Sequence, residues 1–247
     1  MKKKNSKDKL YIVIPAYNEE ENIDDVVNEW HEVVEKINEE SKLVIIDDGS
    51  RDNTYKKLLK LKKKYPQLDP ITKKNGGHGA TVLYGYDYAI KNNADYIFQT
   101  DSDGQTIADE FWQFWEQRED YDAIIGSRKK RQDGISRIVV TKVLKLVLFC
   151  IFHSEVEDAN TPFRLIKKDV LEECCLKIPE NFNLSNVLLT VLLVKRNKKR
   201  VNFIPITFRP RQGGVNSINL KKIVKIGVQA IKDFSQIKRT LKEQDEK

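Results

Sequence analysis

Two aspartates separated by one residue, Asp101 and Asp103, lie in the stretch FQTDSDGQT at residues 98–106. They directly follow an apolar run, and the amide side chain of Gln105 comes two residues after the second acid. Carboxylate and amide oxygens in this arrangement suit a hard divalent cation that binds a diphosphate. The same residue types also form turns, and Asp103 can serve as a helix N-cap. The stretch alone therefore leaves a metal site and a simple turn both open.

Predicted strands and helices alternate along the chain around these acids. Short apolar runs such as LYIVI, KLVII and ADYIF predict strands, and the segments between them have apolar residues at helical spacing. Strands that alternate with helices predict an α/β fold with a mostly parallel central sheet and helices on both faces. Ligands of such sheets bind outside the carboxyl ends of the strands, where residues 15–19, 47–50 and 101–105 form three polar clusters. The first predicted helix has its apolar positions at Ile23, Val26, Val27, Trp30, Val33, Val34 and Ile37.

Composition indicates one globular domain with basic patches. The chain has 247 residues, of which 40% are hydrophobic, and it contains neither an internal repeat nor a linker rich in proline and glycine. Lys and Arg number 44 against 37 Asp and Glu, which gives a net charge of +7 concentrated in short clusters. Such clusters can meet nucleic acid, an anionic membrane or phosphorylated substrates, although most lysine runs are simply solvated. We expect no nucleic-acid partner, because no recognisable nucleic-acid-binding motif accompanies the clusters.

Cysteines and apolar segments bear on the compartment. The three cysteines, Cys150, Cys174 and Cys175, fit neither a disulfide framework nor a zinc site, so a reducing cytosol is expected. The charged N-terminus lacks the apolar core of a signal peptide. The longest apolar run, residues 138–152, contains two lysines and is shorter than the roughly 20 residues of a membrane-spanning helix. We therefore expect no membrane span.

Six motifs occur in an order that resembles family 2 glycosyltransferases with the GT-A fold. They read VIPAYNEEENI, VIIDDGSRDNT, GGHGATVLYGYDYA, FQTDSDGQ, IIGSR and IPITFRPRQGGVNS. A lone D-x-D is a weak motif, whereas this ordered set is specific, and it is most similar to polyprenyl-phosphate sugar transferases of the dolichyl-phosphate mannose synthase type. The resemblance implies a Rossmann-like GT-A domain at residues 10–217. Residues 1–9 are then a basic N-terminal tail, and residues 218–247 form an amphipathic basic C-terminal helix with a charged tail.

The resemblance implies that several motifs bind a nucleotide-sugar donor. In the family, the segment that matches residues 15–19 wraps the nucleoside, acids that match Asp47 and Asp48 bind the base or ribose, and a glycine-rich segment before a helix lies near the donor. Judged from the residues alone, helix capping near residues 18–21 and a turn after the second strand also explain these acids. The expected donor-binding residues are Pro15, Ala16, Tyr17, Glu19, Asp47, Asp48, Gly76, His78, Asp101 and Ser102.

The family's D-x-D-x-Q element matches Asp101, Asp103 and Gln105, which implies Mg²⁺ or Mn²⁺ between the protein and the donor diphosphate. The family's E-D motif for a catalytic base has no clear counterpart, although VEDANT offers Asp158. We therefore expect Asp101, Asp103, Arg128 and Asp158 to be the catalytic residues.

Phosphate contacts are expected from a second group of residues, most of them basic. Arginine suits bidentate phosphate binding, although a solvated basic loop is the alternative for these positions. The family often has Lys directly after the position of Ser217, where this chain has Ile218. Arg164 is interpreted as a structural ion-pair partner. The positions that match phosphate contacts of the family are Arg128, Arg137, Thr141, Arg211 and Ser217.

The resemblance implies an inverting, metal-dependent transfer of a sugar from a UDP- or GDP-linked donor to polyprenyl phosphate. A phosphate acceptor is already anionic and needs no strong base, whereas a hydroxyl of a growing glycan, the alternative acceptor, needs one. A non-catalytic nucleotide-sugar or nucleic-acid binding module is a more distant alternative. Lysine-bordered apolar stripes at residues 138–152 and 218–237 predict a peripheral position on the cytoplasmic face of the membrane, through lipid or a membrane-protein partner. Core packing is the competing explanation for both stripes.

Overall fold

A seven-stranded sheet forms the centre of the protein in a computed structural model, which describes residues 6–128, 134–209 and 229–239 and, within residues 134–142, the helix but no side chains. The strands are β1 (Leu10–Ala16), β2 (Lys42–Asp47), β3 (Leu68–Thr72), β4 (Tyr96–Gln99), β5 (Ala123–Ser127), β6 (Arg164–Lys167) and β7 (Val201–Pro205). The helices are α1 (Ile23–Ile37), α2 (Thr54–Lys62), α3 (His78–Lys91), α4 (Phe111–Trp115), α5 (Gly134–Phe152), α6 (Lys168–Cys175), α7 (Ser185–Asn197) and α8 (229–239).

The sheet is mostly parallel, as the alternation of strands and helices predicts. Its strand order is β3-β2-β1-β4-β6-β5-β7, and only β6 runs antiparallel to its neighbours β4 and β5. The strands β1, β2, β4 and β5 therefore end at one edge, where β6 begins. Arg164, the first residue of β6, pairs with Gln99 of β4 and Ile125 of β5. The reversal of β6 thus places a cationic residue at the edge where the predicted polar clusters meet.

Apolar layers cover both faces of the sheet, since successive side chains of a strand point to opposite faces. In β1, Tyr11 and Val13 face the layer formed with α3, α5, α6, α7 and α8, whereas Leu10, Ile12 and Ile14 face the layer formed with α1, α2 and α4. Every apolar position predicted for the first helix is buried in α1. Burying each such side chain stabilises the fold by about 1.5–3 kcal/mol, which anchors the loops that follow the strands.

The described part of the predicted N-terminal tail, residues 6–9, is fixed to the domain. The Lys9 N–H donates to Asp95 at 2.7 Å, and Asp8 accepts from Arg118 Nε at 2.8 Å. The Asn38 side chain also donates to the carbonyl oxygen of Asp8 at 2.8 Å. The folded domain therefore begins before residue 10, because these bonds hold the chain that leads into β1.

The helix α5 uses one side for the core and leaves apolar side chains on another side exposed. Leu148 and Phe152 are buried, whereas Val143, Leu146 and Phe149 are each half exposed or more. Core packing therefore accounts for only part of this apolar run. Among the residues that the structure describes, no helix has the length and apolar character needed to cross a bilayer.

The helix α8 also packs on the domain. Its Phe234 is fully buried, with its ring centroid 5.8 Å from that of Phe152 and 5.7 Å from that of Phe182. The sequence predicts Ile231 and Phe234 on one stripe, but Ile231 is exposed, and the buried side consists of Ala230, Phe234 and Ile237. Residues 218–228 of the predicted stripe lie outside the described residues. For the described part of this stripe, core packing is the observed role.

Candidate functional site

The loops after β1 and β2 are joined by hydrogen bonds. The Asn18 N–H donates to Ser50 Oγ and the Glu19 N–H donates to Thr54 Oγ1, both at 2.9 Å. Asn18 has a φ of 54°, in the left-handed region that asparagine tolerates better than most residues. Glu19 is buried, whereas the ring of Tyr17 is 41% exposed at this edge of the sheet. Of the predicted nucleoside-binding side chains, Tyr17 is therefore presented to solvent and Glu19 faces the loop.

Asp47, the last residue of β2, is buried and engaged within the protein. Its carboxylate accepts from the Ser50 N–H at 3.2 Å and from Thr72 Oγ1 at 2.7 Å. Thr72 lies directly opposite Asp47 in the β2–β3 pairing. This carboxylate therefore shapes the turn after β2 and connects it to the end of β3.

Asp48 binds the loop that leads into α3. Its two carboxylate oxygens accept from the N–H groups of Gly76 at 2.9 Å and Gly77 at 2.8 Å, and Lys73 forms an ion pair with it. Burial by itself raises the pKa of Asp48, but the hydrogen bonds from Lys73, the two glycines and Thr81 outweigh burial and hold the pKa below its usual value. Asp48 is therefore an ionised buried group that fixes the glycine-rich loop.

The same glycine-rich loop also contacts the acidic pair after β4, Asp101 and Asp103. Gly77 has a φ of 86°, and the residue after it, His78, places Nε2 3.0 Å from Asp101 Oδ1. Partial burial works against a charged imidazole, but the Asp101 and Asp103 carboxylates outweigh it and raise the pKa of His78. Half of the His78 side chain and 26% of that of Asp101 are exposed. The glycine-rich loop thus connects Asp48, whose oxygens are bonded within the protein, with Asp101, which is partly exposed.

The end of β1 is bonded to both acidic loops. Ser102 is buried and donates its hydroxyl to the Pro15 carbonyl oxygen at 2.9 Å. The Asp48 N–H donates to the carbonyl oxygen of Ala16, itself buried, at 2.8 Å. In the structure, the side chain of Ser102 and the carbonyl oxygens of Pro15 and Ala16 therefore hold the loops together.

The D-x-D-x-Q segment is fixed to the chain after β7. The Gln105 N–H donates to Asp103 Oδ1 at 3.1 Å, and Gln105 Nε2 donates to the Arg209 carbonyl oxygen at 2.8 Å. The Arg209 N–H returns a bond to the Gln105 carbonyl oxygen at 2.8 Å. Within the described ranges, no three His, Cys, Asp or Glu side chains come together as a metal site. Two carboxylates and an amide are what the protein offers at this edge.

Arg128 and Asp158 form a bidentate ion pair. Arg128 Nε and Nη2 donate to the two Asp158 oxygens at 2.8 and 2.9 Å, and the guanidinium lies over the Phe208 ring at 5.2 Å. The two side chains are only 10% and 9% exposed. The alternative of a solvated loop arginine therefore does not hold for Arg128, because its side chain is largely buried and paired with Asp158, 30 residues away along the chain. Its contact with a phosphate stays a prediction.

Several predicted phosphate-binding positions fall outside the described residues. Arg211 and Ser217 lie in the range 210–228, and the side chains of Arg137 and Thr141 in α5 are not described. Two further residues were not predicted as parts of the site. Lys73 reaches Asp48 through the β2–β3 pairing. Arg164, interpreted from sequence as an ion-pair partner, is completely buried and has no carboxylate partner within the described part of the chain.

Similarity to known proteins extends over most of the chain. A family model described as Glycosyl transferase family 2 matches residues 11–175, more than half of the chain. A UDP-N-acetylglucosamine–dolichyl-phosphate N-acetylglucosaminyltransferase of Methanococcus voltae is 27% identical over 219 residues, which cover 80% of this chain and 84% of that protein. An undecaprenyl-phosphate 4-deoxy-4-formamido-L-arabinose transferase of Salmonella choleraesuis is 20% identical, and the match covers 88% of this chain but 65% of the relative. The chain thus spans just under two thirds of the second relative.

Solved structures share the architecture. Glucosyl-3-phosphoglycerate synthase from Mycobacterium tuberculosis in complex with Mn²⁺ and UDP-glucose has a TM-score of 0.67 at 15% identity, covering 91% of this chain and 77% of that one. The same enzyme with Mn²⁺, UDP and phosphoglyceric acid has a TM-score of 0.68 at 14% identity, covering 94% of this chain and 79% of that one. At this level of identity the likeness shows a common fold.

Proposed function

The chain belongs to glycosyl transferase family 2 and has the GT-A fold, and from this premise we propose that it moves a sugar from a nucleotide-sugar to a polyprenyl phosphate. The observation that carries the proposal is the continuous chain of contacts at the carboxyl edge of the sheet. The glycine-rich loop connects Asp48 to Asp101 through Gly77 and His78, and Ser102 connects the Asp101 loop to the end of β1. Related proteins that are named as lipid-phosphate sugar transferases support the choice of acceptor.

In this proposal the β1 side of the edge holds the nucleoside. The exposed ring of Tyr17 offers a surface on which a base stacks, and the cross-linked loops at residues 17–19 and 47–50 fix its position. Asp47 and Asp48 then support the nucleoside pocket by holding its backbone, since their oxygens already accept hydrogen bonds from the protein. Direct contacts of either acid with the base or ribose stay a prediction.

Asp101, Asp103 and Gln105 are the residues that would hold a divalent cation. Mg²⁺ usually takes one or two protein carboxylates and completes its shell with substrate phosphates and waters, so this open set fits such a cation better than it fits a closed protein cage. Mn²⁺ takes the same hard oxygen ligands. When bound, the cation supplies charge neutralisation for the departing nucleoside diphosphate. Gln105 is held in place by the bond from its N–H to Asp103 and by the bond from its amide nitrogen to the Arg209 carbonyl oxygen.

The reaction is a direct displacement. A phosphate oxygen of the acceptor attacks the anomeric carbon of the sugar, the bond from that carbon to the diphosphate oxygen breaks, and the configuration inverts. Such a step needs positioning and charge stabilisation rather than a covalent enzyme intermediate. Both oxygens of Asp158 already accept hydrogen bonds from Arg128, so Asp158 orients the arginine rather than standing ready to remove a proton. This arrangement favours a phosphate acceptor over a glycan hydroxyl, which needs a base.

A lipid acceptor requires access to a membrane surface, and α5 offers one. Val143, Leu146 and Phe149 form an exposed apolar strip beside Lys145, the pattern of a helix that lies in a membrane interface. We expect flotation with anionic liposomes at low salt, because each lysine near such a surface contributes about 1 kcal/mol. The double variant Leu146→Glu and Phe149→Glu should abolish flotation. Unchanged flotation of this variant would contradict direct lipid contact.

A transfer assay tests the proposed activity. Purified protein is incubated with a panel of UDP- and GDP-sugars, a short-chain polyprenyl phosphate and either Mn²⁺, Mg²⁺ or EDTA, and glycolipid is measured. We expect product from one donor, with loss in EDTA and in the Asp103→Asn variant. Transfer only to a glycan hydroxyl would replace the acceptor, and the absence of any donor turnover with a lipid or a glycan acceptor would overturn the proposal.

A further inference from the structure

Arg164 is a cation in an unusual environment, since its side chain is completely buried. Its guanidinium donates to the Thr161 carbonyl oxygen through Nε at 3.1 Å, to the Asn186 carbonyl oxygen through Nη1 at 3.1 Å and to Thr190 Oγ1 at 3.2 Å. These acceptors are neutral. Among the described residues, none of the carboxylates lies within ion-pair distance of Arg164.

Keeping such a charge buried is costly. Taking an unpaired ion out of water costs several kcal/mol even after the protein relaxes, and arginine does not escape the cost by losing its proton. Burial and the neighbouring charge of Arg128 lower the pKa of Arg164, whereas Tyr86 and the carboxylates of Asp158 and Asp101 act in the opposite direction. Departures from the rule that buried charges are paired are expected at functional sites. The position of Arg164 points to such a role.

Arg164 lies between the two halves of the proposed site. It pairs with Gln99, two residues before Asp101, and with Ile125, three residues before Arg128. Its guanidinium donates to the Thr161 carbonyl oxygen, in the segment that leads from Asp158 into β6, so it lies beneath the edge where the diphosphate of the donor is proposed to bind.

We infer that Arg164 is a positioning residue for an anionic diphosphate: its buried charge, unmatched by a carboxylate among the described residues, favours the diphosphate electrostatically without touching it. A fixed charge in a low-dielectric interior acts over several ångströms and is not screened as a surface charge is. The inference rests on the proposed function for the identity of the diphosphate. The inference also explains why the hydrogen-bond acceptors around Arg164 are neutral, because a carboxylate at that position would cancel its charge.

The test compares ligands that differ by one phosphate. Dissociation constants of UDP, UMP, GDP and GMP are measured by calorimetry with Mn²⁺ on the wild-type chain and on Arg164→Lys and Arg164→Met. The readout is the ratio of the monophosphate constant to the diphosphate constant for each base. Arg164→Met should reduce this ratio about tenfold, and Arg164→Lys, which keeps the charge, should restore most of it.

The control variant is Thr190→Val, which removes a hydrogen-bond acceptor of Arg164 and leaves the charge. It should lower the melting temperature and leave the ratio unchanged. If Arg164→Met does not fold, the two single variants Arg164→Lys and Thr190→Val still decide. The inference predicts that both keep most of the ratio, whereas a merely structural role predicts that the ratio falls in each variant together with its stability. An unchanged ratio in folded Arg164→Met would overturn the inference. Diphosphate binding that depends on Arg164 without any transfer would uphold it and reject the proposed reaction, whereas no binding of either diphosphate to the wild-type chain would reject both.

Discussion

Two acidic pairs lie at the carboxyl edge of the sheet, and the structure gives them different surroundings. Asp47 and Asp48 are buried, and their oxygens accept hydrogen bonds from backbone N–H groups, Thr72 and Lys73. Asp101 is partly exposed and contacts His78, and Asp103 accepts the Gln105 N–H. Acids in similar motifs therefore have different surroundings: the first pair holds the loops, and the second pair is the one that we propose to contact a ligand.

The largest expected effect separates the two pairs by activity. Asp103→Asn should lower transfer at least about 100-fold, because an amide keeps the shape but removes an anionic ligand of the cation. Its melting temperature should stay within about 2 °C of wild type, since partly exposed side chains contribute little to stability. Glycolipid formation and thermal unfolding measure the two outcomes. The exposed acid Asp109 provides a control, and Asp109→Asn should keep full activity. Full activity of Asp103→Asn at saturating Mn²⁺ would contradict a metal-binding role for this acid, and with it the proposed difference between the two acidic pairs.

The second expected effect is on stability at the other pair. Asp48→Asn should reduce the free energy of unfolding by about 3 kcal/mol, because it leaves Lys73 without its buried partner. The folded-state pKa of Asp48 lies below the usual 3.8. Its contribution is therefore fully present above about pH 4 and is lost as the pH falls through the folded pKa. Urea titrations at pH 7 and pH 3 measure both effects, and a variant as stable as wild type at pH 7 would contradict the structural role.

The third expected effect concerns the backbone of the turn that follows Asp47 and Asp48. Gly49 has a φ of 68°, and a Cβ there would lie 3.0 Å from the Asn75 nitrogen and 3.0 Å from the Lys73 carbonyl oxygen. Gly49→Ala should cost about 2 kcal/mol, because both the conformation and the contact are unfavourable. Gly76→Ala is the matched control, since its Cβ would meet the flexible end of Lys73 at 3.1 Å. Equal losses in urea titrations of the two variants would show that the turn is not constrained as described.

The smallest effect separates the acid response of Asp48 from that of a remote histidine. His31 is buried in α1, its Nε2 has no partner among the described residues, and burial lowers its pKa from the usual 6.5. The unfolded chain then binds more protons below pH 6.5, so stability is full above that pH and falls as the pH drops, by at most about 1.4 kcal/mol per unit. His31→Phe keeps the ring contact with Tyr65 and should flatten the stability profile between pH 5 and 6.5. An unchanged slope in that range would assign the titration to another group.

The order of strands and helices and the motifs shared with family 2 glycosyltransferases could be predicted from the sequence. The alternation of strands and helices, the buried face of α1 and the acidic segments at strand ends follow from local periodicity, which the chain encodes within a few residues. The predicted metal ligands Asp101, Asp103 and Gln105 were proposed from their type and spacing together with the resemblance to the family, because the stretch alone leaves a turn equally open. Their metal binding stays a prediction. Their position at the edge of a mostly parallel sheet is confirmed.

Which charged side chains are buried and bonded within the protein, and which are exposed at the edge of the sheet, could not be predicted from the sequence. The partners of Asp48 and Arg128 lie 25 and 30 residues away along the chain, and Arg164 reaches the site because β6 runs against its neighbours. No local pattern encodes these pairings, because strand register and strand direction are set by the packing of whole layers. The sequence therefore does not show whether a carboxylate at a strand end holds a loop or is available to a ligand. That depends on the hydrogen-bond and ion-pair partners that the fold places beside it.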